Sequence, residues 1–294
     1  MGAHDPLSDA TTVSGVNGDS RMFDLSTRDF DRIRRIIFEL AGIDLGASKR
    51  NMVYSRLSRR LRALGIDSLA HYLDQLEGDP QFTAQERQEF VNALTTNLTS
   101  FFREKHHFPV FSDFLTRGLA GRPARIWCAA ASTGEEPYSI AMTAIEALGA
   151  NSDARILATD IDTQVLACAG SGVYRDEAVQ VCGPQRTRRF FLRGTGANAG
   201  MVRVRPEVAR LVEFGQLNLL EPLWPVLTRF GLPLDAVFCR NVMIYFNRAT
   251  QHAVMERFAS VLRPGGLLFA GHSENFTDCR ELFALRGKTV YERL

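Results

Sequence analysis

Ile126-Trp127-Cys128-Ala129-Ala130-Ala131-Ser132-Thr133-Gly134-Glu135-Glu136-Pro137-Tyr138-Ser139-Ile140 is answered downstream by Ala158-Thr159-Asp160-Ile161-Asp162. The first stretch reads as a buried strand, a tight loop of small residues and a helix beginning near Glu135. The second reads as a buried strand ending on an acidic residue. Together they form the β-loop-α-β start of an open α/β sheet, in which ligands sit at the carboxyl ends of the strands. A dinucleotide site would set pyrophosphate on the helix N-terminus and needs glycines for close backbone approach. Here one glycine, Gly134, is followed by two carboxylates that would repel phosphate. A ligand with an adenosine and a cationic tail suits the loop better, and S-adenosylmethionine is the common one. Asp160 would then accept from both ribose hydroxyls, with Glu135 facing the ammonium and sulfonium end. Taken alone, Ser-Thr-Gly-Glu-Glu is equally a plain helix start, since acidic residues favour the first turn. The second strand ending in Thr-Asp, at βαβ spacing, favours the ligand site.

The chain has 294 residues, 45% hydrophobic and 23% charged, with a formal charge of +2. That is ordinary for a globular protein of one large or two modest domains, and nothing global points to nucleic acid. No apolar run approaches the ~18 residues of a membrane span, and the N-terminus has no signal-peptide pattern. Residues 1–22, rich in Gly, Ser, Asp and Thr, have the composition of a disordered extension. The five cysteines form no Cys-x-x-Cys pair, which argues for reduced thiols in a cytoplasm and against a disulfide framework or zinc site. The histidines show no ligand spacing, so no metal is expected. His106-His107 reads as a helix surface, and His272 falls just past a strand end near a pocket mouth.

From Ser26 to about Asn97 the pattern is helical. Phe30, Ile33, Ile37 and Leu40 recur at helical spacing up to Gly42. Further helices are expected from Ser48 to Leu64, from Leu69 to Leu76 and from Thr83 onward, which makes residues 23–95 a small all-helical domain. Residues 96–294 alternate strand and helix, with strands at Arg125–Cys128, Ile156–Thr159, Val212–Gln216, Ala236–Cys239 and Leu267–Ala270. Such alternation implies a largely parallel sheet covered on both faces. Leu262-Arg263-Pro264-Gly265-Gly266 reads as a turn before the last strand. Between about 173 and 210 the alternation breaks: Arg189–Arg193 and Met201–Arg205 flank a glycine-rich turn and predict an inserted antiparallel β-subdomain.

The second helix carries Lys49, Arg50, Arg56, Arg59, Arg60 and Arg62 with no acidic residue from Leu45 to Ile66. Val53, Leu57, Leu61 and Leu64 make its core stripe, with Lys49, Arg56 and Arg60 beside it and Arg59 and Arg62 turned away. Such a run is either a solvated face or a docking surface for an acidic partner.

Four segments carry a family likeness: Leu94-Thr95-Thr96-Asn97-Leu98-Thr99-Ser100-Phe101-Phe102-Arg103, Ala131 to Ser139, Ala158 to Asp162, and Phe238-Cys239-Arg240-Asn241-Val242-Met243-Ile244-Tyr245-Phe246. In this order and spacing, from about Phe23 onward, the chain resembles the CheR family, the chemoreceptor glutamate methyltransferases of bacterial chemotaxis. The resemblance implies an S-adenosylmethionine-dependent methyltransferase fold, a Rossmann-like sheet with the inserted β-subdomain, preceded by the all-α domain. It implies that Asn97, Thr99, Arg103, Glu135, Asp160, Asn218, Leu219, Arg240 and Asn241 surround the cofactor, leaving S-adenosylhomocysteine as product. Arg103 and Tyr245 would stand nearest the transferred methyl. The basic helix would meet the acidic methylation helices of the receptor through Arg56, Arg59 and Arg60. The β-subdomain would grip a C-terminal tether peptide, since a sheet edge can add a strand. The expected protein is a cytoplasmic monomer that neither enters the membrane nor binds nucleic acid.

Methyl transfer to a carboxylate needs no general base, because glutamate, with a pKa of ~4.3, is already ionised. The absence of a His-Asp or Cys-His arrangement fits that chemistry. Two other readings share the sheet. An amino-methylating enzyme often carries Asn-Pro-Pro-Tyr after the fourth strand, where this chain has Arg240-Asn241-Val242-Met243. A non-catalytic cofactor-sensing or docking module would bind the cofactor without transfer.

Overall fold

The computed structural model describes residues 23–119, 122–150 and 152–294; the expected extension 1–22 lies outside them. Four helices come first: α1 (Thr27–Ala41), α2 (Arg50–Leu64), α3 (Leu69–Gly78) and α4 (Pro80–Leu94). Ser26 caps α1 by accepting from the Asp29 N–H, and Gly42 ends it at φ 69°. The fourth helix starts three residues before the expected Thr83. Asp79 accepts from the N–H groups of Gln81 and Phe82, and Pro80 takes the first helical position, where it has no hydrogen bond to lose. Ile33, Ile37, Val53, Leu57, Leu61, Tyr72, Leu73 and Phe90 fill the bundle core. Leu64, expected on that stripe, is exposed, because it stands at the last turn before the Gly65 cap.

The α/β part follows as α5 (His107–Gly118), β1 (Arg125–Cys128), α6 (Glu135–Leu148), β2 (Arg155–Asp160), α7 (Thr163–Ser171), β3 (Val173–Arg175), α8 (Asp176–Val179), α9 (Gly183–Phe190), β4 (Phe191–Arg193), β5 (Met201–Val204), α10 (Pro206–Ala209), β6 (Val212–Gln216), α11 (Pro225–Phe230), β7 (Leu234–Cys239), α12 (Arg248–Val261), β8 (Leu262–Ala270), β9 (Phe283–Gly287) and β10 (Val290–Arg293). Seven strands form one sheet in the order β6-β2-β1-β7-β8-β10-β9. The first five run parallel, while β10 is antiparallel to both β8 and β9. Strand order reverses beside β1, which opens a crevice beyond its carboxyl end.

Side chains alternate across each strand, and both faces are buried. Ile126, Ile156, Phe238 and Phe269 pack with α5 and α6 on one face, while Trp127, Leu157, Val237 and Leu268 pack with α12 on the other. Leu262 to Gly266, expected as a turn, begins β8 instead, and the β7–β8 register shifts between Leu234 and Ala236. A Cβ on Gly266 would stand 3.0 Å from the Asp235 carbonyl oxygen, so the strand backbones approach too closely there for a side chain.

The insert is a three-stranded antiparallel sheet ordered β3-β5-β4, with β3 joining the expected hairpin. His107, expected on a helix surface, is fully buried against the Phe269 ring, and its Nε2 lies 3.1 Å from the Lys288 carbonyl. Among the described residues no helix is long and apolar enough to cross a membrane.

Candidate active site

The crevice at the carboxyl ends of β1, β2 and β7 is a cleft of about 250 Å³, closed on one side by the helical domain through Ala41, Leu45, Met52 and Arg56. Interdomain hydrogen bonds hold that wall, two of them from opposite sides of the cleft. The Asp44 N–H donates to the Tyr245 carbonyl at 2.8 Å, and the Asn218 side-chain amide donates to the Leu40 carbonyl at 2.8 Å.

The β1 loop turns through Ser132 (φ 47°) and Gly134 (φ 99°). A Cβ at Gly134 would stand 2.6 Å from the Tyr174 hydroxyl and 2.9 Å from the Ala169 Cβ, so the turn requires glycine. The loop delivers the Ser132 N–H to Asp160 Oδ2 at 2.8 Å, while the Asp162 N–H meets Oδ1 at 3.0 Å. Burial pushes the Asp160 carboxyl up to about 6 against these two bonds. Each oxygen keeps a free lone-pair direction, and the side chain borders the cleft. A carboxylate held this way suits a vicinal diol such as a ribose.

Asn97 lines the cleft and donates at 2.8 Å to Asp162 Oδ2, which also takes the Thr95 hydroxyl at 2.7 Å. Thr99 and Arg103 follow on the same segment. Phe102 (φ 52°) and Glu104 (φ 53°) flank Arg103 in the left-handed region, a strained arrangement for residues other than glycine. The Phe102 N–H donates to Ser139 Oγ at 2.9 Å, and Arg240 Nη2 donates to the Arg103 carbonyl at 2.5 Å. Arg240 is buried and also donates from Nη1 to Glu136 Oε2 at 2.7 Å, with Glu104 Oε2 3.4 Å from its Nη2. Burial alone would raise the Glu104 carboxyl, but Arg240 and His272 prevail and hold it near about 2. The Glu136 carboxyl is raised by burial, with Arg240 opposing.

Asn97, Thr99, Arg103, Asp160, Asn218, Leu219, Arg240, Asn241 and Tyr245 all border the one cleft. Glu135 does not. Its carboxylate accepts from the Thr133 hydroxyl at 2.6 Å, and Glu136, one residue on, lines the cleft instead. Of the five arginines of α2, the three expected to meet the receptor, Arg56, Arg59 and Arg60, diverge. Arg56 reaches the cleft and donates to the carbonyls of Leu94 and Thr95. Arg60 forms a paired contact with Glu86, 2.7 and 2.5 Å, and Glu86 also takes the Tyr72 hydroxyl. Arg59 alone of the three is exposed, with no hydrogen bond or ion pair to a described residue.

Sequence reading passed over Glu136, Glu104 and Glu274. Glu136 had a legible signal, since at helical phase it shares the buried face of Ile140 and Thr143. Glu104 and Glu274 had none, because their partners are distant in sequence. Glu104, His106 and His107 stand close enough together to hold a cation, yet Arg240 already occupies the carboxylate's approach.

An open sheet with its cleft at the strand-order reversal, an acidic β2 terminus and no phosphate cradle defines an S-adenosylmethionine-dependent methyltransferase fold. Residues 97–291 match "CheR methyltransferase, SAM binding domain", and residues 28–95 match "CheR methyltransferase, all-alpha domain". The chain belongs to the CheR methyltransferase family. It is 52% identical to chemotaxis protein methyltransferase 2 of Pseudomonas aeruginosa, over 96% of this chain and 98% of that one. Identity is also 52% to the chemotaxis protein methyltransferases of Salmonella typhimurium, over 91% of this chain and 90% of that one, and of Escherichia coli, over 91% of each. The protein is thus a chemotaxis methyltransferase that uses S-adenosylmethionine.

Proposed function

We propose that the acceptors are glutamate side chains on the cytoplasmic helices of chemoreceptors, which become methyl esters. The observation that carries this reading is the positive charge that Lys49, Arg56 and Arg103 bring to a lining that also holds Asp44, Asp160 and the Arg240–Glu136 pair, with no histidine among the described residues. A carboxylate acceptor is drawn to that charge and needs no base. Asp160 would hold the ribose, and Asn97, Asn218, Leu219 and Asn241 would surround the remainder of the nucleoside and amino acid. When bound, S-adenosylmethionine supplies a methyl carbon activated by its sulfonium.

Arg103 and the Tyr245 hydroxyl orient the acceptor carboxylate in line with that carbon. Arg103 is tethered by its own donation to the Leu98 carbonyl at 2.7 Å. That tether leaves it able to position the carboxylate without fully neutralising it. Seating the acceptor in the cleft would strip water from its carboxylate, which strengthens its nucleophilicity. The protein would work as a cytoplasmic monomer, with Arg59 docking the acidic receptor helix and an edge of the β3-β5-β4 sheet adding a tether strand.

The test mixes purified protein, methyl-labelled S-adenosylmethionine and receptor-bearing membranes, then measures methanol released by base. Base-labile label on the receptor supports ester formation; base-stable label would assign an N-methyltransferase and overturn the reading. The docking role separates neighbouring arginines. Arg59→Ala should cut the transfer rate severalfold, most at low salt, with unchanged melting. Arg60→Ala should instead lower stability by about 2–4 kcal/mol, because it leaves the buried Glu86 unpaired.

A further inference from the structure

The loop from Arg240 to Tyr245 contributes four residues to the cleft, Arg240, Asn241, Val242 and Tyr245, yet it contains no regular helix beyond a single 3₁₀ turn at Met243–Tyr245. Asn241 sits at φ 59°, a left-handed conformation that an isolated asparagine adopts only as a minor state. What holds the loop is one carboxylate thirty residues away in the chain. Glu274 is 4% exposed, and its Oε1 accepts from the N–H groups of Val242 at 2.9 Å and Met243 at 2.8 Å. Its Oε2 accepts from the N–H groups of Asn241 at 3.0 Å and Gly271 at 2.5 Å.

Three consecutive amides thus converge on a single side chain, the geometry of an anion-binding backbone nest with a resident anion. From the other side, Gly271 presses on the same residue. A Cβ there would stand 2.4 Å from Asn241 Nδ2 and 2.8 Å from Asn241 N.

We infer that Glu274 is a positioning residue for cofactor binding: its carboxylate gathers the amides of Asn241, Val242 and Met243 and so sets the direction of the Asn241 and Tyr245 side chains into the cleft. The inference rests on the reading of Asn241 as a cofactor contact. Glutamine at this position keeps an acceptor for Val242 and Met243 but turns an NH₂ donor toward the N–H groups of Asn241 and Gly271. Two donors then face two donors, and Asn241 must leave its strained conformation.

The experiment is calorimetric titration of the full chain with S-adenosylhomocysteine, paired with thermal melting, for Glu274→Gln, Gly271→Ala, Asn241→Ala and Asp235→Asn. Asp235 is an equally buried carboxylate at the opposite end of the sheet. The expected result is at least a tenfold loss of affinity in the first three variants, and affinity within twofold of the parent for Asp235→Asn despite a lowered melting temperature. The apparent KM for S-adenosylmethionine should rise by a similar factor in Glu274→Gln and Gly271→Ala. Should Glu274→Gln fail to fold, Glu274→Asp decides in its place: it keeps the charge but draws it back from the three amides by one methylene, and the same tenfold loss is expected, parent affinity overturning the inference. Loss in Asn241→Ala with none in Glu274→Gln and Gly271→Ala overturns the inference, as does an equal loss in Asp235→Asn. No loss in Asn241→Ala overturns the reading of Asn241 instead, and the positioning role with it.

Discussion

Asp235 and Glu274 are both buried carboxylates, one at the amino end of β7 and the other just beyond the carboxyl end of β8, its neighbour. They are neutralised in different ways. Asp235 is met by two guanidinium groups, from Arg122 and from Arg263 at 2.8 Å, and by the Arg125 N–H at 2.9 Å. Glu274 meets only backbone N–H groups, and Asp160, at the end of β2, is likewise held by amides alone. At the amino ends, carboxylates are closed off by cations and tie strand to helix. At the carboxyl ends Arg240 still pairs with Glu136 and Glu104, but Glu274 shapes a loop through amides alone and Asp160 keeps lone pairs turned to the cleft. The sheet concentrates stability at one edge and unspent binding capacity at the other, as open α/β sheets do.

The largest effect that could break this contrast is at Asp160. Asp160→Asn should weaken S-adenosylhomocysteine binding roughly a hundredfold, the cost of two hydrogen bonds to a charged acceptor. Parent affinity should fall as pH drops through about 6, where the buried Asp160 carboxyl takes up a proton, and the variant should lose that dependence. The sign for stability is opposite. A carboxyl raised on folding opposes the fold above about pH 6, and that penalty is relieved as pH falls toward its unfolded value of about 3.9. The ligand-free parent should therefore gain stability relative to Asp160→Asn between pH 7.5 and 5, as followed by denaturant titration.

Next in size, Asp235→Ala should lower the unfolding free energy by about 2–4 kcal/mol while leaving cofactor affinity of the folded fraction unchanged. A large affinity loss there would erase the distinction between the two edges. The smallest effect sharpens it. Gly266→Ala forces a Cβ against Asp235 and should lower stability by about 1–2 kcal/mol without altering affinity, the reverse of what is expected for Gly271→Ala.

Much of this was legible beforehand because it rests on local signals. The strand from Arg125 to Cys128, the start of the helical pattern at Ser26, the Gly42 stop and the acidic end of β2 each follow from periodicity and breaker residues close in the chain. The start of α4 was misplaced because Asp79-Pro80 read as a break when it is a cap followed by a first-turn proline. Pro264-Gly265-Gly266 keeps its turn chemistry inside β8: the pairing with β7 jumps from Leu262 to Leu267, and Gly265, at φ 73°, lies in the irregularity between them. Arg60 looked like surface charge because Glu86, its partner, sits on a different helix.

Residues close in the chain specify the βαβ core, the order of the elements and the kind of ligand, since the loop after β1 and the residue ending β2 are set by their neighbours. Folding alone settles that Glu136 rather than Glu135 lines the cleft, that Arg59 is the one of Arg56, Arg59 and Arg60 with no hydrogen bond or ion pair to a described residue, and that Glu274 holds the 240–245 loop. Those outcomes depend on pairings across thirty to more than a hundred residues, and a buried charge takes its role from the partner that folding brings to it.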